Sequence, residues 1–224
     1  PVATTTAVMC LVKDNILSLD DPLGRYLPVQ SDKEGISIYH LLSHSSGLPE
    51  WRPYYKKFHG EEIVEQVLKE RLLFRPGSRS LYSDLGFILL GRVVEKVSGK
   101  SLNEYCQEAI FGPLKMRDTS FHPPAKRCAA TEMCSWRNRI LKGEVHDENA
   151  WAMGGVAGHA GLFSTARDLM RFSQEILDCH HGRGGLIPQK IVRRFLNRQA
   201  SPARSSWALG WDTPTMGASS SGRF

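Results

Sequence analysis

A chain of 224 residues is long enough for one large domain or two small ones. Its 41% hydrophobic content is ordinary for a globular protein, and no apolar run nears the roughly eighteen residues of a transmembrane helix. The formal net charge of +6 comes from basic residues scattered among acids, apart from Arg193, Arg194 and Arg198, and reads as solvated surface rather than a nucleic-acid footprint.

The first residues, Pro1-Val2-Ala3-Thr4-Thr5-Thr6, have no basic segment ahead of an apolar one and no initiating Met, so they are not a signal peptide. They read as chain cut in the middle of a helix. Five cysteines (Cys10, Cys106, Cys128, Cys134, Cys179) cannot all pair, and their spacing fits neither a disulfide nor a zinc framework. Cys10 and Cys106 read as small core residues. This usage favours a reducing compartment, and a periplasmic one stays open while the natural N-terminus is unread.

In chain order, residues 2–14 read as a helix, and Leu17 to Pro28 as a turn-rich segment. Ile36 to Ser43 is a second helix, stopped at Ser45-Ser46-Gly47-Leu48-Pro49 and followed by an aromatic loop with Trp51, Tyr54, Tyr55 and Phe58. Glu61 to Leu73 is amphipathic, with Ile63, Val67 and Leu68 on one face and acids in the first turn, where the helix dipole favours them. Arg75-Pro76-Gly77-Ser78 marks a turn. After it, Phe87, Leu90, Val94 and Val97 recur at helical steps until Ser98-Gly99 stops the helix.

A further helix runs from Leu102 to Ile110, and residues 116–150 read as loops with short strands. Gly154 to Gly161 is glycine-rich but lacks the lysine and spacing of a phosphate loop, so close backbone packing is the better reading. Ser164 to Asp168 opens a helix with Leu169, Phe172, Ile176 and Leu177 inward; Cys179 to Gly185 is a polar break, and a helix follows from Pro188 through Asn197. Trp207 to Trp211 reads as the start of a strand, and Gly217 to Gly222 as a Ser/Gly tract. No internal repeat is visible.

The stretch with chemistry in it is Tyr82-Ser83-Asp84, a phenol, a hydroxyl and an acid held at the start of a rigid apolar helix. One reading is catalytic. The other is that Ser83 or Asp84 caps the helix by accepting its free N–H groups. His40 and His44 are four apart but lack the intervening glutamate of a zinc hydrolase, and read as hydrogen-bonded structural residues. Cys179-His180-His181 reads as exposed loop, and no metal site is expected. There is no Gly-x-Ser-x-Gly elbow, which argues against an α/β-hydrolase site.

Several separated stretches together carry a resemblance. They are His40-Leu41-Leu42-Ser43-His44-Ser45-Ser46-Gly47-Leu48, Pro76-Gly77 ahead of Tyr82-Ser83-Asp84, and Glu95 to Leu102. Two more are Ile110 to Thr119 and Gly161-Leu162-Phe163-Ser164-Thr165-Ala166-Arg167-Asp168-Leu169. In this order they resemble the serine β-lactamase-related hydrolases, which include class C β-lactamases, D-alanyl-D-alanine carboxypeptidases and esterases. The resemblance implies an α+β fold, a helical lobe beside an antiparallel sheet, of which residues 1–224 supply mainly the helical lobe. It implies a cofactor-free serine hydrolase acting through an acyl-enzyme on a small-molecule or peptide amide or ester.

That family uses a serine and lysine in Ser-x-x-Lys, a Tyr-x-Asn motif, and a Lys/His-Thr/Ser-Gly strand. Residues 1–224 contain no Ser-x-x-Lys, and the resemblance places it just upstream of Pro1. The third motif is also absent and is expected after Phe224; His159-Ala160-Gly161 echoes it without the middle hydroxyl and reads as a decoy. Only the middle motif is present. The resemblance gives Tyr82 the role of proton acceptor or relay, with Ser83 and Asp84 as active-site support, and Asp84 stands where asparagine is commoner. The expectation is one partial domain, 1–224, catalytically inactive by itself, with the alternative of a non-catalytic binding scaffold.

Overall fold

The computed structural model describes residues 1–203 and 205–214, so the Gly217–Gly222 tract lies outside the described residues. Helix α1 spans Val2–Lys13 and buries Thr4 through Leu11. Helix α2, Ile38–Leu42, is shorter than the expected 36–43 because Ser37 starts it. The Ser37 hydroxyl accepts the His40 N–H while His40 Nδ1 accepts the Ser37 N–H at 3.1 Å, a reciprocal cap.

Helix α3, Glu61–Lys69, also stops before the expected Leu73. Glu70 turns extended, its carboxylate accepts the Tyr54 hydroxyl at 2.7 Å, and Leu73 N–H reaches back to the Gly47 carbonyl. Tertiary partners outbid the helical pattern there. Helix α4, Asp84–Ser98, is buried over most of its length and ends on Gly99 in the left-handed conformation. Helix α5, Leu102–Cys106, runs on as a wider π turn, Gln107–Phe111.

Strands β1 (Ala130–Cys134) and β2 (Arg139–Lys142) form an antiparallel ribbon within the expected loop region. Helix α6, Glu148–Ala152, was not legible there, since five residues are too few to show a period. Helices α7 (Ala166–His180) and α8 (Gln189–Leu196) close the described chain.

On α7 two expectations are corrected. Leu169 and Leu177, read as inward, are 51% and 53% exposed, while Phe172, Ile176 and Cys179 are buried. The helix is turned so that the buried Asp168 carboxylate accepts the Asp118 N–H at 2.7 Å and the Thr119 hydroxyl at 3.0 Å. Cys179 therefore lies in the last turn of the helix, not in an exposed loop. Near the end, Trp207 to Trp211 is a tight turn, with Ala208 N–H donating to the Trp211 carbonyl and a single bridge from Trp207 to Asp212. It is not a strand.

The architecture is α+β with helices dominant. Helix α4 sits at the centre and touches α1, α2, α3 and α5. Cys10 and Cys106 are buried in that core, as read from the sequence. Every cysteine of the described residues is a free thiol.

Candidate active site

At the start of α4 the backbone is held from three sides. Ser83 is the cap: its Oγ accepts the Gly86 N–H at 3.2 Å and donates to the Pro49 carbonyl at 2.6 Å. Asp84 N–H donates to the Glu50 carbonyl at 2.9 Å. Ser83 N–H donates to His44 Nδ1 at 3.0 Å. Capping thus falls to Ser83, and the Asp84 carboxylate is left for another partner. It accepts the Tyr82 hydroxyl at 2.8 Å.

Tyr82 is 39% exposed, so its phenol lies at the surface. Burial of the ring, and then the hydrogen bond to Asp84, push its ionisation up from the ordinary tyrosine value. Hydrogen-bonded to Asp84, Tyr82 is a neutral donor. A proton-accepting phenolate requires a cation beside it.

His44 is the residue whose connection to this site the sequence did not disclose. It is 2% exposed, in a left-handed conformation at φ 52°, and its ring packs on Tyr82, Phe87 and Trp207 with centroids 4.8, 5.2 and 4.3 Å away. Burial pushes its pKa down to about 3, which leaves Nδ1 free to accept from Ser83. The sequence reading of a hydrogen-bonded structural histidine agrees with this geometry. What it lacked was the partner, 39 residues away. His40, meanwhile, spends its Nδ1 on Ser37, so the two histidines serve separate backbones.

The glycine loop is pressed against the same helix. A Cβ on Gly158 would lie 1.9 Å from the Phe87 carbonyl oxygen, so only glycine allows this approach. The Gly158 carbonyl also accepts the Thr4 hydroxyl at 2.7 Å, which ties the loop to α1. Close backbone packing, the reading made from composition, is what the loop does. Beyond it, His159 Nε2 donates to Asp147 Oδ1 at 2.9 Å, and the same oxygen caps α6 by accepting the Ala150 N–H at 2.7 Å. Burial alone would raise the Asp147 carboxyl, but His159 and the Asn149 and Ala150 N–H groups outweigh it and hold the carboxyl below its usual range. Asp147 is near enough to Tyr82 for its charge to act on the phenol.

Among the described residues no group of three or more His, Cys, Asp or Glu side chains converges as a metal centre. Cys179 Sγ lies 3.2 Å from Glu175 Oε1. Tyr82, Ser83 and Asp84 are therefore together in one place, supported by His44, and residues 1–224 hold no Ser-x-x-Lys to complete them.

The chain belongs to the β-lactamase family: the family model described as Beta-lactamase matches residues 2–221. It is 32% identical over 256 aligned positions to a Salmonella schwarzengrund protein that carries the provisional name D-alanyl-D-alanine carboxypeptidase. That match covers 96% of this chain and 59% of the relative, so the chain spans about three fifths of its length. Among solved structures it is similar to a penicillin binding protein from Bacillus halodurans, with a TM-score of 0.73 at 24% identity, over 93% of this chain and 66% of the other. It is also similar to a D-stereospecific amidohydrolase from Streptomyces, with a TM-score of 0.66 at 25% identity, over 93% of this chain and 67% of that one. The fold is thus β-lactamase/transpeptidase-like, with residues 1–224 contributing mostly helices.

Proposed function

We propose that the full-length protein is a serine hydrolase that forms an acyl-enzyme on an amide or ester of a D-amino acid or a related small peptide. The observation that carries this reading is the Tyr82–Asp84 pair at the mouth of α4, fixed from behind by Ser83 and His44, in a chain of the β-lactamase family. A carboxypeptidase-named relative and a D-stereospecific amidohydrolase among the structural neighbours support the substrate class.

In this reading a serine and a lysine come from chain outside residues 1–224. The serine oxygen attacks the carbonyl carbon and loses its proton to a base; the leaving amine or alkoxide takes a proton as it departs. Tyr82 carries that proton between them. The lysine ammonium offsets the effect of Asp84 on the phenol, and Asp84 in turn attracts the lysine. Residues 1–224 alone form no acyl-enzyme, because no serine among them has a lysine at the required spacing.

The test is labelling with a fluorescent β-lactam and a fluorophosphonate. The full-length protein is expected to label once per chain, and residues 1–224 not at all. Stoichiometric labelling of residues 1–224 overturns the division of the site. A full-length protein that neither labels nor hydrolyses D-amino-acid amides and esters overturns the reading in favour of a binding scaffold.

A further inference from the structure

The exposed Trp, Tyr and Phe side chains of the described residues are Trp51, Tyr82, Trp136 and Trp151. They belong to one region of the surface. Trp51 directly follows Pro49 and Glu50, whose carbonyls accept the Ser83 hydroxyl at 2.6 Å and the Asp84 N–H at 2.9 Å. The backbone that holds Tyr82–Asp84 therefore also carries Trp51. From there a row of rings leads away: Tyr55 has its centroid 6.4 Å from Trp51, Trp136 lies 4.8 Å from Tyr55, and Trp151 lies 5.1 Å from Trp136.

Three separate elements hold this row. Trp51 and Tyr55 stand on the loop before α3, Trp136 on the turn of the β1–β2 ribbon, and Trp151 on α6. Asn149 of α6 ties itself to the loop, accepting the Tyr55 N–H at 3.0 Å and donating to the Arg52 carbonyl at 2.8 Å. Arg137 fixes the ribbon turn. Its almost fully buried guanidinium sits 5.1 Å from the Trp136 ring and 5.2 Å from the Trp151 ring, and donates to the Val145 and His146 carbonyls at 2.8 and 3.1 Å. The rings are thus locked in place while Trp51, Trp136 and Trp151 each keep more than a third of their surface open. Rigid, exposed aromatic groups are efficient anchors, because little freedom is left to lose when a ligand lands on them.

Their orientation selects the ligand. Trp136 meets Tyr55 at 80° and Trp151 at 85°, so edges and faces alternate and there is no flat platform. A further aromatic ring fits such a notch, since aromatic pairs prefer edge-to-face or offset contacts.

We propose that Trp51, Tyr55, Trp136 and Trp151 form a specificity strip that takes an aromatic group on the acyl half of the substrate, running outward from a carbonyl at Tyr82. This rests on the hydrolase reading for the reacting end. The strip adds the substrate class: D-amino-acid esters or amides whose nitrogen carries an arylacyl group.

Binding is measured separately from turnover. Full-length protein is titrated in a calorimeter with N-phenylacetyl-D-alaninol and with N-acetyl-D-alaninol, which lack the ester. The phenylacetyl compound is expected to bind about tenfold tighter or more. Trp136→Ala should abolish that preference, and Trp136→Phe, which keeps a ring at this position, should retain most of it; thermal melts report whether each variant folds. Equal affinity for the two compounds in the wild type overturns the proposal, and is the result expected if another part of the chain or a second copy covers the rings. A preference that survives Trp136→Ala, or that is lost equally in Trp136→Phe, also overturns it.

Turnover gives the second readout. The ratio of kcat/KM for the N-phenylacetyl and N-acetyl forms of a D-alanine ester is expected to exceed about ten in the wild type, mainly through KM, and to approach one in Trp151→Ala. A ratio near one in the wild type, or one that Trp151→Ala leaves in place, overturns the assignment. If the wild type hydrolyses neither ester the hydrolase reading fails, while the calorimetry still decides whether the strip binds an aromatic group.

Discussion

At the residue scale the account turns on how Tyr82 is held and what controls its proton. Asp84→Asn removes the charge that the phenol faces, so Tyr82 is expected to ionise at lower pH than in the wild type. A difference titration of phenolate absorbance between the two proteins should show one tyrosine moving down; no change would mean that Asp84 does not control the phenol. His44 sets a second pH dependence. Its folded pKa, lowered by burial to about 3, lies below its unfolded value, so between the two the unfolded chain binds the extra proton. The stability from His44 is therefore complete above pH 6.5 and is lost as pH falls toward 3, at up to about 1.4 kcal/mol per pH unit. Asparagine accepts a hydrogen bond and tolerates the left-handed backbone, so His44→Asn should flatten this slope in urea unfolding curves taken from pH 7 to 4. Equal slopes in the two proteins would contradict it.

Much of this scale was hidden in the sequence for a physical reason. Tyr82, Ser83 and Asp84 are neighbours in the chain, and their roles at a helix start follow from local rules. The His44–Ser83 and His159–Asp147 bonds join separate elements, and no spacing rule encodes them. His159 was read as a decoy for a strand motif. It is indeed not on a strand, but its burial belongs to the packing of the loop and is visible only there.

At the scale of elements, α4 is the reference to which the site is fixed. Ser83→Ala removes both the cap and the bond to the Pro49 carbonyl, and is expected to cost about 1–2 kcal/mol in a urea titration. Gly158→Ala should cost more, about 3 kcal/mol or beyond, because the new methyl meets backbone that cannot swing aside. A Gly158→Ala protein as stable as the wild type would mean that the loop does not rest on α4 as described. The apolar period of α4 and its Gly99 stop were legible because a long buried helix carries many positions of one pattern. The five-residue α6 was not, and neither was the rotation of α7. There Leu169 and Leu177 satisfied the period as well as Phe172 and Ile176, and only the Asp168 bonds to Asp118 and Thr119 decide which face turns inward.

At the scale of the molecule, residues 1–224 hold a continuous core but leave Leu169, Met170 and Leu177 exposed on one side of α7, and Met133 and Ile140 exposed on the ribbon. The strand content of the described residues is the single ribbon, which fits a chain spanning about three fifths of its longer relative. Residues 1–224 by themselves are expected to self-associate through such faces and to bind a hydrophobic dye. Leu169→Glu together with Leu177→Lys should reduce both effects in light scattering. A monomer with a sharp cooperative melt and no dye binding would contradict this. The family was legible at this scale because its motifs are spread through most of the chain in order, and the helix-rich α+β fold agrees with them.

The most direct test of the central claim, that Tyr82 relays the proton in acyl transfer, is the pre-steady-state acylation rate of the full-length protein with a chromogenic D-amino-acid ester, compared between wild type and Tyr82→Phe. The account predicts a fall of about 10²–10⁴-fold in that rate, with ester binding and thermal stability little changed. An unchanged acylation rate in Tyr82→Phe would contradict it.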